Sequence, residues 1–151
     1  MAGRGEMMDF EIKWSPMHMD FYKYGSVVNF SQEGEVTFKN LFFSSGSIIV
    51  KWISNPIYQV NRSLLQLPIL GKGNSYRLIT NLECIPNNSV LIKIDIYNRS
   101  GRNVKSYVIE NNGGSFIYPK DSYSYSISII NMGVHDFKFK TIRIVQENIK
   151  E

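Results

Sequence analysis

Apolar and polar residues alternate with period two along most of this chain, which is the signature of half-buried β-strands. Phe10, Ile12 and Trp14 share one face of a first strand, and Val36 and Phe38 share a face of another. Ile92, Ile94 and Ile96 alternate with Lys93, Asp95 and Tyr97. Tyr123, Tyr125, Ile127 and Ile129 alternate with Ser124, Ser126 and Ser128, so that serine face is either wet or packed against a close partner. Ile48, Val50 and Trp52 interleave with Ile49, Lys51 and Ile53, and both faces are apolar. That pattern predicts a central strand covered on two sides. Tyr76, Leu78 and Thr80 form a further strand candidate. Phe137 and Phe139 change parity to Ile142 and Ile144, which predicts a β-bulge at Lys140 and Thr141.

Turn chemistry separates these runs. Asn98-Arg99-Ser100-Gly101 and Asn112-Gly113 read as hairpin loops, and Asn87-Asn88, Pro119-Lys120-Asp121 and Asn131-Met132-Gly133 as turns. Such frequent turns predict an all-β fold, an antiparallel two-sheet β-sandwich of the jelly-roll or carbohydrate-binding-module type. The stretch from Ser54 to Asn74, with Pro56, Pro68, Gly71 and Gly73 around several leucines, is a long excursion that allows one helical turn at Arg62 to Gln66. Positions 1–8 are expected to be a disordered N-terminus or a cloning scar, 9–147 one sandwich domain, and 148–151 a C-terminal tail.

Composition supports this reading. Ala2 is the only alanine, a strong tilt away from helix. Cys84 is the one cysteine, which excludes an internal disulfide and leans towards a reducing compartment. No run approaches the roughly 20 apolar residues of a membrane span, and no secretory signal is visible. The net charge of +4 is scattered among acids, without the continuous basic stripe that nucleic-acid binding needs.

Candidate chemistry is sparse. His18, His135 and Cys84 stand far apart, unlike the fixed spacing of a zinc site. A Cys84, His135 and Asp136 triad acquires meaning only from spatial proximity. Ser44-Ser45-Gly46-Ser47 is not a nucleophile elbow, and Gly71-Lys72-Gly73 is not a phosphate loop. Asp95 and Glu83 are the acids least plainly decorative, yet solvated strand faces account for both. No cofactor and no metal is implied. What remains is aromatics, whose flat faces suit sugar rings and protein interfaces. The residues expected to stack on a glycan are Tyr24, Trp52 and Tyr58, with a partner interface at Ile57, Leu64, Leu67 and Ile69.

An ordered string of short segments carries a family resemblance. It begins with Tyr24-Gly25-Ser26, Phe38-Lys39-Asn40-Leu41, Ser45-Gly46, Ile49 and Trp52-Ile53-Ser54. It continues through Tyr58-Gln59, Leu67-Pro68-Ile69-Leu70, Phe116-Ile117-Tyr118-Pro119, and Tyr125-Ser126-Ile127 to Ile130-Asn131. From Trp14 to Ile144 the chain resembles the third accessory secretory proteins of Gram-positive bacteria. Phe43-Ser44 departs from the pattern, where a proline is expected. The resemblance implies a noncatalytic, carbohydrate-binding-module-like subunit of a cytoplasmic complex, peripheral at the inner membrane face. It implies two protein partners, a glycosyltransferase-like first component and a second, hydrolase-like component that acetylates sugars. It also implies a role in modifying and exporting serine-rich repeat glycoprotein adhesins, with the adhesin or its glycan as a further ligand. The alternatives are a free-standing carbohydrate-binding module or lectin, and a small sandwich hydrolase.

Overall fold

The computed structural model describes residues 8–14, 27–39, 46–54 and 67–147. They form ten strands and no helix: β1 (Asp9–Ile12), β2 (Val27–Phe30), β3 (Val36–Lys39), β4 (Ile48–Ile53), β5 (Ser75–Ile85), β6 (Val90–Tyr97), β7 (Asn103–Glu110), β8 (Gly114–Ile117), β9 (Ser124–Asn131) and β10 (Asp136–Glu147). A six-stranded sheet runs β2-β3-β10-β5-β8, with β1 also paired to β10, and a four-stranded sheet runs β4-β9-β6-β7. Every pairing is antiparallel. This is the two-sheet sandwich that the alternation predicts. The helical turn expected at Arg62 to Gln66 lies outside the described residues.

β10 organises the larger sheet. Its whole length pairs with β5, while its other edge takes β3 against Asp136–Phe139 and β1 against Ile142–Val145. The register to β5 shifts between Phe139 and Thr141, so Lys140 is the extra residue of the expected bulge. The bulge resets side-chain parity, and Phe137, Phe139, Ile142 and Ile144 therefore all lie in the core. Ile92, Ile94, Ile96, Tyr125, Ile127 and Ile129 meet them from the smaller sheet. Fully burying each such side chain is worth roughly 1.5–3 kcal/mol. Along one side of the sandwich, Tyr107 of β7 donates its hydroxyl to the Ile117 carbonyl oxygen of β8 at 2.9 Å and packs its ring on Phe116.

One expectation needs correction. β4 is not central but outermost in the four-stranded sheet. Its doubly apolar pattern arises because the register to β9 shifts between Ile48 and Val50. Ile49 and Val50 are both buried, and Ile48 and Ile53 are exposed. The serine face of β9 is dry at its centre: Ser126 and Ser128 are both buried.

Candidate docking surface

Three tyrosines of the sandwich hold one loop. Residues 67–74 enter β5, and their Leu-Pro-Ile-Leu segment is divided between interior and solvent. Leu67, Pro68 and Leu70 are buried, whereas Ile69 is 87% exposed. Tyr125 of β9 donates its hydroxyl to the Pro68 carbonyl oxygen at 2.6 Å. The Gly71 amide donates to the Tyr76 hydroxyl at 2.7 Å. Beyond these, Asn74 N–H reaches the Gly71 carbonyl at 3.1 Å, Gly73 N–H the Tyr118 carbonyl at 2.6 Å, and Tyr118 N–H the Asn74 carbonyl at 2.9 Å. Tyr118 and Tyr125 pack edge to face, with ring centroids 5.5 Å apart.

Burial fixes the protonation of this cluster. It pushes the Tyr118 phenol up to about 12 and Tyr125 further still, with neighbouring tyrosines adding to both. Both hydroxyls remain protonated near neutrality, and Tyr125 stays a donor. The loop is therefore anchored on both sides of Ile69, at Pro68 and at Gly71.

Two lysines stand beside the loop. Lys72 stands exposed in the turn after Ile69, and the aliphatic stem of Lys120 lies beside Gly73, 3.8 Å from where a Cβ would sit. Asp121 is the acid of the neighbouring turn.

Of the residues expected to stack on a sugar, Trp52 is placed in the core. It is 1% exposed, its indole N–H donates to the Lys13 carbonyl at 3.0 Å, and its ring lies 5.5 Å from that of Phe139. Neither face of Trp52 is open to a surface ligand, because the inward face of β4 carries it between the sheets. Tyr24 and Tyr58 lie outside the described residues, as do Ile57 and Leu64. Of the expected interface residues, Leu67 is buried at 0% exposure and anchors the loop, and Ile69 projects from it. The sequence pattern does not mark Tyr76, Tyr118 and Tyr125 as a group. Pro68 lies 57 positions from Tyr125, and no local pattern links the two, whereas Gly71 is only five positions from Tyr76.

The suspected triad is dispersed. Phe137 stands opposite Cys84, and Asp136 stands opposite Ile85, so the thiol and the carboxylate point to opposite faces of the sheet. Asp136 faces Lys39 at 3.4 Å, and Cys84 Sγ accepts from Asn111 Nδ2 at 3.5 Å. His135 meets β5 through its backbone, donating N–H to the Ile85 carbonyl at 2.7 Å. A hollow of about 420 Å³ beside β5 is lined by Leu82, Glu83, Cys84, Ile85, Asn87, Asn88 and Asn111, a set without an imidazole. Among the described residues, no group of three or more His, Cys, Asp or Glu is placed to hold a metal ion. His18 lies outside them. Among the same residues, no helix is long and apolar enough to cross a membrane.

Comparison with known proteins places this sandwich. The family model for the third accessory secretory protein of the accessory Sec secretory system matches residues 21–146. The chain belongs to this family. A Streptococcus gordonii member, the third accessory Sec system protein of that species, is 35% identical over 131 residues, which cover 86% of this chain and 82% of the relative. The solved structure of accessory secretory proteins 1, 2 and 3 of Streptococcus pneumoniae contains a chain 30% identical, with a TM-score of 0.85 over 91% of this chain and 96% of that one. The Glycosylation Associate Protein complex of Streptococcus agalactiae contains another, 31% identical with a TM-score of 0.83. This chain spans 95% of its own length there but 48% of that longer chain. A carbohydrate-binding module at 18% identity and a TM-score of 0.52 shares the fold alone.

Proposed function

We propose that this chain is a noncatalytic subunit of an accessory Sec complex. It docks on a glycosyltransferase-like first component and a second, hydrolase-like component that acetylates sugars. In that assembly it supports glycan modification and export of serine-rich repeat adhesins from the cytoplasmic side of the membrane. The observation that carries this reading is the match, over nearly all of both chains, to a subunit of the solved three-protein complex. Two features of the chain support the noncatalytic part. The one thiol and its nearest acid on β10 point to opposite faces of the sheet. The exposed apolar residue of the loop held by Tyr76 and Tyr125 suits a protein contact better than a reaction.

Deletion of this chain in its native host tests the proposal. The adhesin is expected to be under-modified and depleted from the cell surface, and re-expression of this chain is expected to restore it. Unchanged adhesin glycan and unchanged surface display in the deletion strain would refute the role. The free-standing carbohydrate-binding alternative rests on shared fold, and it loses support where Trp52 is buried.

A further inference from the structure

We infer that Ile69 is a preorganised knob that enters an apolar socket, rimmed by carboxylates, on one of the two partner proteins of the complex. This deepens the proposed function and rests on it.

Ile69 is the most exposed of the large hydrophobic residues described, at 87% against 64% for Val108 and 61% for Ile85. Single apolar residues on a surface are ordinary, so exposure alone decides nothing. The anchoring makes Ile69 different. The residues on either side, Pro68 and Leu70, are buried, and Leu67 fills the core before them. The Pro68 carbonyl is held by Tyr125 and the Gly71 amide by Tyr76. Ile69 is therefore confined between two fixed points and cannot fold back onto the sandwich, where its neighbours already occupy the space. Ordering a loop is one of the main costs of association, and here the fold has met it before any partner arrives.

The surroundings of the knob select the partner's chemistry. Lys72 and Lys120 are exposed beside the loop, against the one acid Asp121 of the adjoining turn. A socket that takes Ile69 would bring its rim against those two ammonium groups, and carboxylates there complement them. A folded protein offers both an apolar socket and such a rim.

The test is isothermal titration of the full chain against the two partner proteins, singly and together. The variants are Ile69→Ala, Ile69→Asp and the double variant Lys72→Glu with Lys120→Glu. Ile69→Ala is expected to weaken binding to one partner roughly 10- to 100-fold, the loss of one buried aliphatic side chain. Ile69→Asp is expected to abolish that contact, and the charge reversal to weaken it most at low salt. Circular dichroism should show all three variants folded, since each site faces solvent. Ile69→Asp binding as tightly as the wild type would overturn the inference while leaving the complex intact. Weakening by the Ile69 variants with no effect of charge reversal would overturn the acidic rim. Failure of the wild-type chain to bind either partner would instead overturn the proposed function beneath it.

Discussion

Tyr125 donates its hydroxyl to the carbonyl oxygen of Pro68 at 2.6 Å, joining β9 to a loop 57 positions earlier in the chain. The bond lies in the interior, where an unpaired carbonyl costs about 1–3 kcal/mol. Tyr125→Phe keeps the ring and removes the donor, so it should lower unfolding stability by that amount. Urea denaturation measures the loss. Hydrogen exchange at Leu70 and Gly71 should quicken in the same variant, and unchanged exchange there would show that the bond does not hold the loop.

The same cluster predicts an alkaline limit. Burial raises Tyr118 to about 12 and Tyr125 beyond it, against about 10 in an unfolded chain. The folded state thus holds these protons more tightly than the unfolded state does. Their contribution is complete below about pH 10 and is lost as pH rises from there through the folded values. Urea midpoints should fall from about pH 10 upwards. Tyr118→Phe and Tyr125→Phe should each reduce that slope, which separates their share from lysine titration. An identical slope in both variants would contradict the assignment.

Trp52 is a structural residue here. Its side chain packs on Phe139 and its N–H reaches the Lys13 carbonyl just after β1. Trp52→Ala should cost about 3–5 kcal/mol through the cavity it leaves. Thermal unfolding checks this. A loss under about 1 kcal/mol would mean that the ring is not in the core.

Lys140 tests the bulge of β10. Its side chain is exposed, and Lys140→Ala should change stability by no more than about 0.5 kcal/mol. Deleting it removes the extra residue of the bulge and makes parity continuous along β10. Phe137, Phe139, Ile142 and Ile144 then share one face of a regular strand paired with β5, so cooperative unfolding should survive the deletion. A deletion variant without a cooperative thermal transition would refute the parity argument.

Gly113 tests the β7–β8 turn. Its φ is +100°, and a Cβ there would lie 2.5 Å from the Leu78 carbonyl oxygen. Gly113→Ala should therefore lose more than the ~1–2 kcal/mol of a left-handed residue alone. Chemical denaturation of this variant should show the loss, and wild-type stability would contradict the clash.

Much of the fold can be read from the sequence because side-chain parity is a local property. β6, β9 and the bulged β10 follow from alternation, since each buries one face and their residues differ in polarity from one position to the next. β7 escapes that logic, because Ile109 is its one buried residue and its apolar Val108 faces solvent. β8 is short and begins with Gly114 and Ser115, so it carries little pattern at all. β4 reads as central because a bulge and a buried face look alike in one dimension. The candidate site was legible only in part. Ile69 stands out in Leu-Pro-Ile-Leu as one of four apolar residues, but which of them faces solvent depends on Tyr76 and Tyr125. Trp52 was ambiguous because an exposed stacking ring and a core ring occupy the same kind of strand position.

The central claim is that this sandwich acts by attachment to the first and second accessory secretory proteins. Size-exclusion chromatography with light scattering, on the three proteins mixed at equal concentration, tests it most directly. One peak whose mass equals a complex containing this chain is the predicted result. This chain eluting alone as a monomer, while the other two proteins associate without it, would contradict the account.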